Sequence, residues 1–413
     1  MPPMTPAAAR GRGTYVVFVA AAILLVTMGA RQSLGLFVAP INTATGLGIV
    51  AISLALAVGQ FVWGLAQPIF GGIADRYGSG AVLVAGALML AAGAILTTVV
   101  SSGPGLILTL GVLLAAGAGA GSFSILIGAT AQSLPPEKRA FASGVVNAGG
   151  SLGQFILAPA SQLIIATAGW IIAMYALAFA ALLTIPLARL LGRLGTHDGA
   201  IGGHAGSTSH AAPSLRKQVG IAIRDRSYWC LHAGFFTCGF HIAFLVTHLP
   251  GEVNLCALPA SVAAGSLAII GLANVAGSLS VGWLGGIFRM KWLLFWTYFT
   301  RAAAIAVYLA LPRTALTFYV FAAVLGFTWL STVPPTAGLV AKLFGVRYLA
   351  TLFGLTLLSH QIGGFFGAWL GGLALVRFGD YGWMWYADMT LALAAALINL
   401  PVREAPLAAL AHA

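Results

Sequence analysis

Gly71-Gly72-Ile73-Ala74-Asp75-Arg76-Tyr77-Gly78 is a short polar interval between two apolar runs, near 49–73 and 81–101. Each run reaches the roughly 20 residues that a helix needs to cross a bilayer core. The interval therefore reads as a tight turn between two membrane-spanning helices. Its glycines let helices approach closely, and its two charges stay at the membrane surface. Asp75 is placed to cap or pair with a neighbouring helix end. Arg76 is placed to meet anionic lipid or a carboxylate.

The same pattern repeats outward along the chain. Twelve spans are expected, near 14–41, 49–73, 81–101, 105–133, 140–167, 170–191, 229–250, 260–284, 291–311, 314–340, 348–376 and 382–402. One long polar stretch interrupts them, 192–228. It is rich in Gly, Ser and His and then basic, with Arg216, Lys217, Arg224 and Arg226. The expected organisation is a six-helix half (1–191), a cytoplasmic linker (192–228) and a second six-helix half (229–413).

Composition agrees with an all-α integral membrane protein. Only 7% of the 413 residues are charged and 60% are hydrophobic, against about 25% charged in an ordinary soluble domain. The 53 glycines suit close helix packing in lipid. Strand-period alternation, the mark of a membrane barrel, is absent. The net charge of +12 does not point to nucleic acid, because its distribution follows the positive-inside rule. With the N-terminus in the cytoplasm, sixteen of the 20 Lys and Arg residues fall on the inner side. Only Arg313 and Arg377 fall outside, and Arg31 and Arg301 lie within spans. Both termini are then cytoplasmic, in a bacterial-type inner membrane. Cys230, Cys238 and Cys256 have no metal-ligand spacing and read as free thiols. No cofactor, no metal site and no enzyme chemistry are expected, since no nucleophile triad or phosphate loop is present. His197, His204 and His210 sit in the Gly/Ser-rich linker and read as linker residues.

Arg31 is the costly residue. It lies about 26 Å along the first span at 1.5 Å per residue, where a charge costs at least about 2.5–3.5 kcal/mol. An arginine keeps its proton, so a carboxylate, a water-filled cavity or an anionic substrate must compensate. The first half has no acid at matching depth, since Asp75 and Glu137 are both at the inner surface. That favours a substrate anion, which guanidinium binds bidentately. Arg301, near mid-bilayer in the ninth span, reads instead as structural and is expected to pair with Asp388.

The halves read as a repeat. A shift of 210 residues places Arg31 on His241, Pro40 on Pro250, Gly144 on Gly354 and Gly153 on Gly363. A shift of 214 lays Gly71-Gly72-Ile73 on Gly285-Gly286-Ile287. Parallel repeats of this kind are a transporter plan with the site near the midplane. Gln32, Asn147, Gln154, His360 and Gln361 join Arg31 and His241 as candidate substrate-binding residues. His241 is also the candidate proton carrier, because histidine changes charge near neutral pH. For each, a plain interhelical hydrogen bond is the alternative.

The Gly71–Gly78 stretch resembles the loop 2–3 motif of the major facilitator superfamily, lacking its trailing basic residues at Ser79-Gly80. The resemblance implies that Gly71, Asp75, Arg76 and Gly78 brace a cytoplasmic gate. Lys138-Arg139-Ala140-Phe141-Ala142-Ser143-Gly144, continuing to Gly153, resembles the fifth-helix signature of monocarboxylate transporters and their oxalate–formate relatives. Arg31-Gln32-Ser33-Leu34-Gly35-Leu36-Phe37 resembles their first-helix segment, where a proton-linked Lys falls on Arg31. The acidic signature before helix one and the helix-eight Asp/Arg pair are both absent. Span five lacks the glycine-proline signature of drug exporters. The resemblance implies a monomeric secondary transporter whose halves rock about a central cavity and move a small organic anion, a monocarboxylate by this branch, with H+. An exporter of hydrophobic drugs or metabolites is the rival reading, and a non-transporting sensor the second.

Overall fold

The computed structural model describes residues 6–196 and 214–405. They form helices and connecting turns, with no strand among them. The long helices are α1 (Pro6–Ser33), α2 (Ile49–Tyr77), α3 (Ser79–Thr97), α4 (Gly103–Gln132), α5 (Pro136–Ala168) and α6 (Trp170–Thr196). They continue with α7 (Arg226–Leu255), α8 (Ala260–Leu284), α9 (Met290–Ala310), α10 (Ala315–Phe344), α11 (Leu349–Phe378) and α12 (Gly382–Asn399). A short linker helix, Leu215–Ile223, precedes α7. His197, His204 and His210 lie outside the described residues.

Among the described residues eleven helices are long and apolar enough to cross a membrane. The twelfth span of the fold, α12, has 18 residues and carries the buried Asp388 in its middle, which lowers its hydropathy. Large apolar side chains such as Leu108, Phe179, Leu272 and Leu316 stand exposed on the helix exteriors. Lipid receives such side chains without penalty.

The chain divides into two compact units. One is Met1–Lys217 with Val346–Gly354; the other is Gln218–Gly345 with Leu355–Ala413. In the first unit α1 runs along α5 and α3 along α6, with α2 and α3 both against α4. Gly153 of α5 lies so close to α1 that an added Cβ would collide with the Leu25 carbonyl. In the second unit α8 packs on α10, and α12 on both α7 and α9. There Gly363 of α11 meets the Phe236 carbonyl of α7 in the same way. Gly153 and Gly363 are the pair that the 210-residue shift aligns. An aromatic cluster of Phe244, Tyr308, Phe321, Tyr381 and Trp385 fills the second unit's core.

Two helices that read as continuous apolar runs are interrupted. α4 stops at Ala120 and resumes at Phe123, with Ser122 extended (φ −99°, ψ −176°). α10 stops at Thr328 and resumes at Val333. In α10 the cause is visible in the chain. Pro334 and Pro335 have no N–H, so the carbonyls four residues earlier lose their helical donors.

Candidate functional site

Arg31 sits in the last turn of α1 and is half-buried. Its Nη2 donates to Gln60 Oε1 of α2. Its guanidinium lies 4.0 Å from the centroid of the Trp63 ring. Gln60 and Trp63 are three apart and so share a face of α2. They present one neutral acceptor and one π-face, the two uncharged surfaces that hold a guanidinium without neutralising it. Among the described residues no carboxylate lies within ion-pair distance of Arg31. The positive charge is oriented but left uncompensated, as an anion site requires. Gln32, the next residue, is half-buried.

The candidates on α5 separate. Asn147 is fully buried, and its carbonyl accepts from Ser151 Oγ at 3.5 Å. Gln154, seven residues on, is exposed. The common helix face does not give them a common environment.

In the second unit His241 of α7 is fully buried, with Nδ1 2.6 Å from Asp388 Oδ2 of α12. His241 Nε2 and Asp388 Oδ1 have no hydrogen-bond partner among the described residues. The Trp329 ring stands edge-on to the imidazole at 5.8 Å. A buried histidine–carboxylate pair is electrically neutral when the imidazole is protonated and carries −1 when it is not. The pair can therefore store a proton inside an apolar core.

This arrangement corrects the expected Arg301–Asp388 pair. Arg301, fully buried in α9, donates Nη2 to the carbonyls of Thr328 and Trp329 at the break in α10, the latter at 2.5 Å. Depth brought Arg301 and Asp388 to the same level, but Asp388 faces α7 and the arginine is held by freed backbone acceptors. Asn274 of α8 completes the break by accepting from the Leu330 N–H at 3.0 Å.

His360 of α11 is half-buried, with Nδ1 3.2 Å from Gln361 Nε2 and its ring edge-on to Phe235. Gln361 is buried. His248 is held by its contact to the Ala368 carbonyl at 2.8 Å.

The turn after α2 forms a latch within the first unit. Asp75 Oδ2 accepts from both the N–H and the Oγ1 of Thr351, each at 2.7 Å. Thr351 lies in the first turn of α11, whose leading N–H groups have no intrahelical acceptor. The carboxylate is thus a cap supplied from another helix, favoured by the positive end of the helix dipole. Gly71 lets the two backbones meet, since a Cβ there would lie 2.6 Å from the Ala350 carbonyl. Gly78 ends α2 at φ 94°, in the region open to glycine. Arg76 is exposed, beside the Tyr77 ring.

Gln60, Asp388 and the two helix breaks were not singled out as site features by sequence reading. The Pro334-Pro335 dipeptide signals the α10 break, and Gly121-Ser122 signals the α4 break only faintly.

Residues 20–368 match the family model described as Major Facilitator Superfamily. A monocarboxylate transporter 13 of Rattus norvegicus is 24% identical over 378 residues, covering 90% of this chain and 84% of the relative. An oxalate:formate antiporter of Oxalobacter formigenes is 26% identical over 378 residues, covering 89% and 86%. Among solved structures, a proton:xylose symporter bound to 6-bromo-6-deoxy-D-glucose superposes with a TM-score of 0.75 at 13% identity, over 96% of this chain and 97% of that one. The E. coli fucose:proton symporter gives 0.66 at 15% identity, over 94% and 98%.

Proposed function

The chain belongs to the major facilitator superfamily and is a multi-pass membrane transporter, and from that premise we propose that it carries a small organic anion, specifically a monocarboxylate, coupled to protons by alternating access. The observation that carries the proposal is Arg31: a half-buried guanidinium held by Gln60 and Trp63, with no carboxylate among the described residues to neutralise it. A substrate carboxylate supplies the missing charge through two parallel N–H···O bonds. The names of the two relatives, one a monocarboxylate transporter and one an oxalate:formate antiporter, support the same substrate class.

Arg31 binds but cannot titrate, so the proton needs another residue. In this reading His241 takes it, with Asp388 2.6 Å away to stabilise the imidazolium. Anion and proton enter as separate charges whose sum is zero, which limits the cost of moving them through a low-dielectric interior. Asn147, His360 and Gln361 remain candidate polar contacts for the substrate. The proposed setting is a bacterial-type inner membrane with both termini cytoplasmic, in keeping with the basic inner loops.

The test is uptake and counterflow in proteoliposomes with formate, lactate, pyruvate and oxalate, alongside neutral lipophilic compounds. The expected outcome is saturable anion transport, with the half-maximal concentration raised roughly ten- to hundredfold in Arg31→Gln and folding unchanged. Transport of neutral lipophiles with Arg31 dispensable overturns the reading in favour of an exporter.

A further inference from the structure

A second basic site lies away from Arg31, at the end of α2. Arg76, Arg216 and Arg347 line one cavity of about 450 Å3 together with Asp75, Ser214, Leu215 and Tyr348. Three separate parts of the first unit supply the arginines: the C-terminal turn of α2, the start of the linker helix, and the residues just before α11. The linker helix begins against α2, where Leu215 lies in van der Waals range of the Gly72 position. Residues from separate segments thus meet around one space.

The charges in that cavity do not cancel. The single carboxylate, Asp75, is tied by its Oδ2 to Thr351. Among the described residues, none of the three arginines has a carboxylate within ion-pair distance. Arg76 and Arg347 lie by the rings of their neighbours Tyr77 and Tyr348, at 5.7 and 5.3 Å. All three guanidiniums are exposed. Exposed arginines that merely obey the positive-inside rule have no reason to share a cavity, because like charges there repel. A bound anion removes that repulsion.

We propose that this cavity is a binding site for a phosphate group, either the headgroup of an anionic phospholipid or a soluble phosphate. The chemistry selects phosphate over carboxylate. A tetrahedral phosphate offers acceptor oxygens in several directions and can take more than one guanidinium fork, whereas a planar carboxylate is satisfied by one. Ser214 and Tyr348 line the same space, and the Ser214 hydroxyl, which accepts from the Lys217 N–H, keeps its own proton to donate. Because the site joins α2, the linker helix and the start of α11, an occupant ties the linker to the Asp75 latch.

The experiment uses the full chain and two probes. Detergent-purified protein is titrated with inorganic phosphate at constant ionic strength, against chloride, while thermal unfolding is followed. In parallel, protein in phosphatidylcholine nanodiscs with or without phosphatidic acid is examined by native mass spectrometry for retained lipid. A rise in Tm with phosphate identifies a soluble ligand; selective retention of phosphatidic acid identifies the lipid. In either case the Arg216→Gln, Arg347→Gln double variant is expected to weaken binding at least about tenfold. Arg224→Gln, an exposed linker arginine outside the cavity, is expected to bind as wild type. Both cavity substitutions remove exposed side chains, so folding is expected to survive, and each single variant is measured beside the pair. Silence of both probes, or equal binding by the double variant, overturns the proposal.

Discussion

Arg301 is fully buried in α9 and gives its Nη2 to the carbonyls of Thr328 and Trp329, whereas Arg31 is half-buried in α1 and touches one amide and one indole. Both arginines lie inside apolar helices, and neither has a carboxylate partner among the described residues. Their surroundings differ in kind. Arg301 fills the acceptors of a broken helix, so its guanidinium replaces missing backbone donors. Arg31 fills nothing that the fold leaves open. The comparison teaches that intramembrane charge marks function only after the backbone acceptors around it have been counted.

The largest effect separates the two arginines by stability. Arg301→Leu takes the guanidinium donor from the buried Thr328 carbonyl and leaves the Trp329 carbonyl to the weak Cys238 thiol at 3.6 Å. Leaving a buried acceptor without a good donor costs about 1–3 kcal/mol. Thermal unfolding of the purified variant is expected to show that loss, with Arg31→Gln close to wild type. Equal stability of Arg301→Leu and wild type would break the comparison.

The second effect separates them by transport. Arg31→Gln is expected to lose about 1.5–3 kcal/mol of substrate binding, the worth of charge-assisted hydrogen bonds. That corresponds to a roughly ten- to hundredfold rise in the concentration needed for half-maximal counterflow. Arg31→Lys keeps the charge but loses the planar fork, so it should recover only part of the affinity.

The third concerns the proton. If His241 and Asp388 hold it, uptake should rise as external pH falls, and His241→Gln should flatten that profile. Asp388→Asn should abolish proton-driven accumulation while leaving exchange at symmetric pH. An unchanged pH profile in both variants removes the pair from the coupling scheme.

The Asp75 latch ranks next. Asp75→Ala removes the cap from the first turn of α11 and should cost about 1–2 kcal/mol in thermal unfolding. Thr351→Val removes one of its two hydrogen bonds and should cost less. A double-mutant cycle between the two should show coupling, since both act on one contact.

What was legible in the sequence divides along the same line. The spans, the Asp75 motif and the Gly153–Gly363 alignment were readable because they depend on local composition and on one repeat offset. The partners of the buried charges were not. Gln60 is 29 residues from Arg31, and Asp388 is 147 from His241. Depth in a helix can be counted from sequence, but the direction a side chain faces is set by packing. For that reason Arg301 and Asp388 matched in depth and yet do not pair. The apolar run 105–133 gave little sign of its break, because Gly121 and Ser122 occur commonly within membrane helices.

That break supplies the smallest prediction, and the one that sharpens the comparison most. Gly121-Ser122 in α4 and Ser331-Thr332 in α10 are 210 residues apart, so the repeat interrupts the same helix twice. In α10 an arginine serves the freed carbonyls. In α4 neutral groups suffice: Thr27 Oγ1 donates to the Gly121 carbonyl at 2.7 Å, and Ser122 Oγ donates to Gln67 Oε1 at 3.0 Å. A neutral interhelical hydrogen bond in a membrane protein is worth only about 0.6 kcal/mol. Thr27→Val should therefore lower unfolding stability by well under 1 kcal/mol, several times less than Arg301→Leu. If the two losses are comparable, the guanidinium at the α10 break is no more than another hydrogen-bond donor. Arg301 would then return as a candidate for the substrate or the proton.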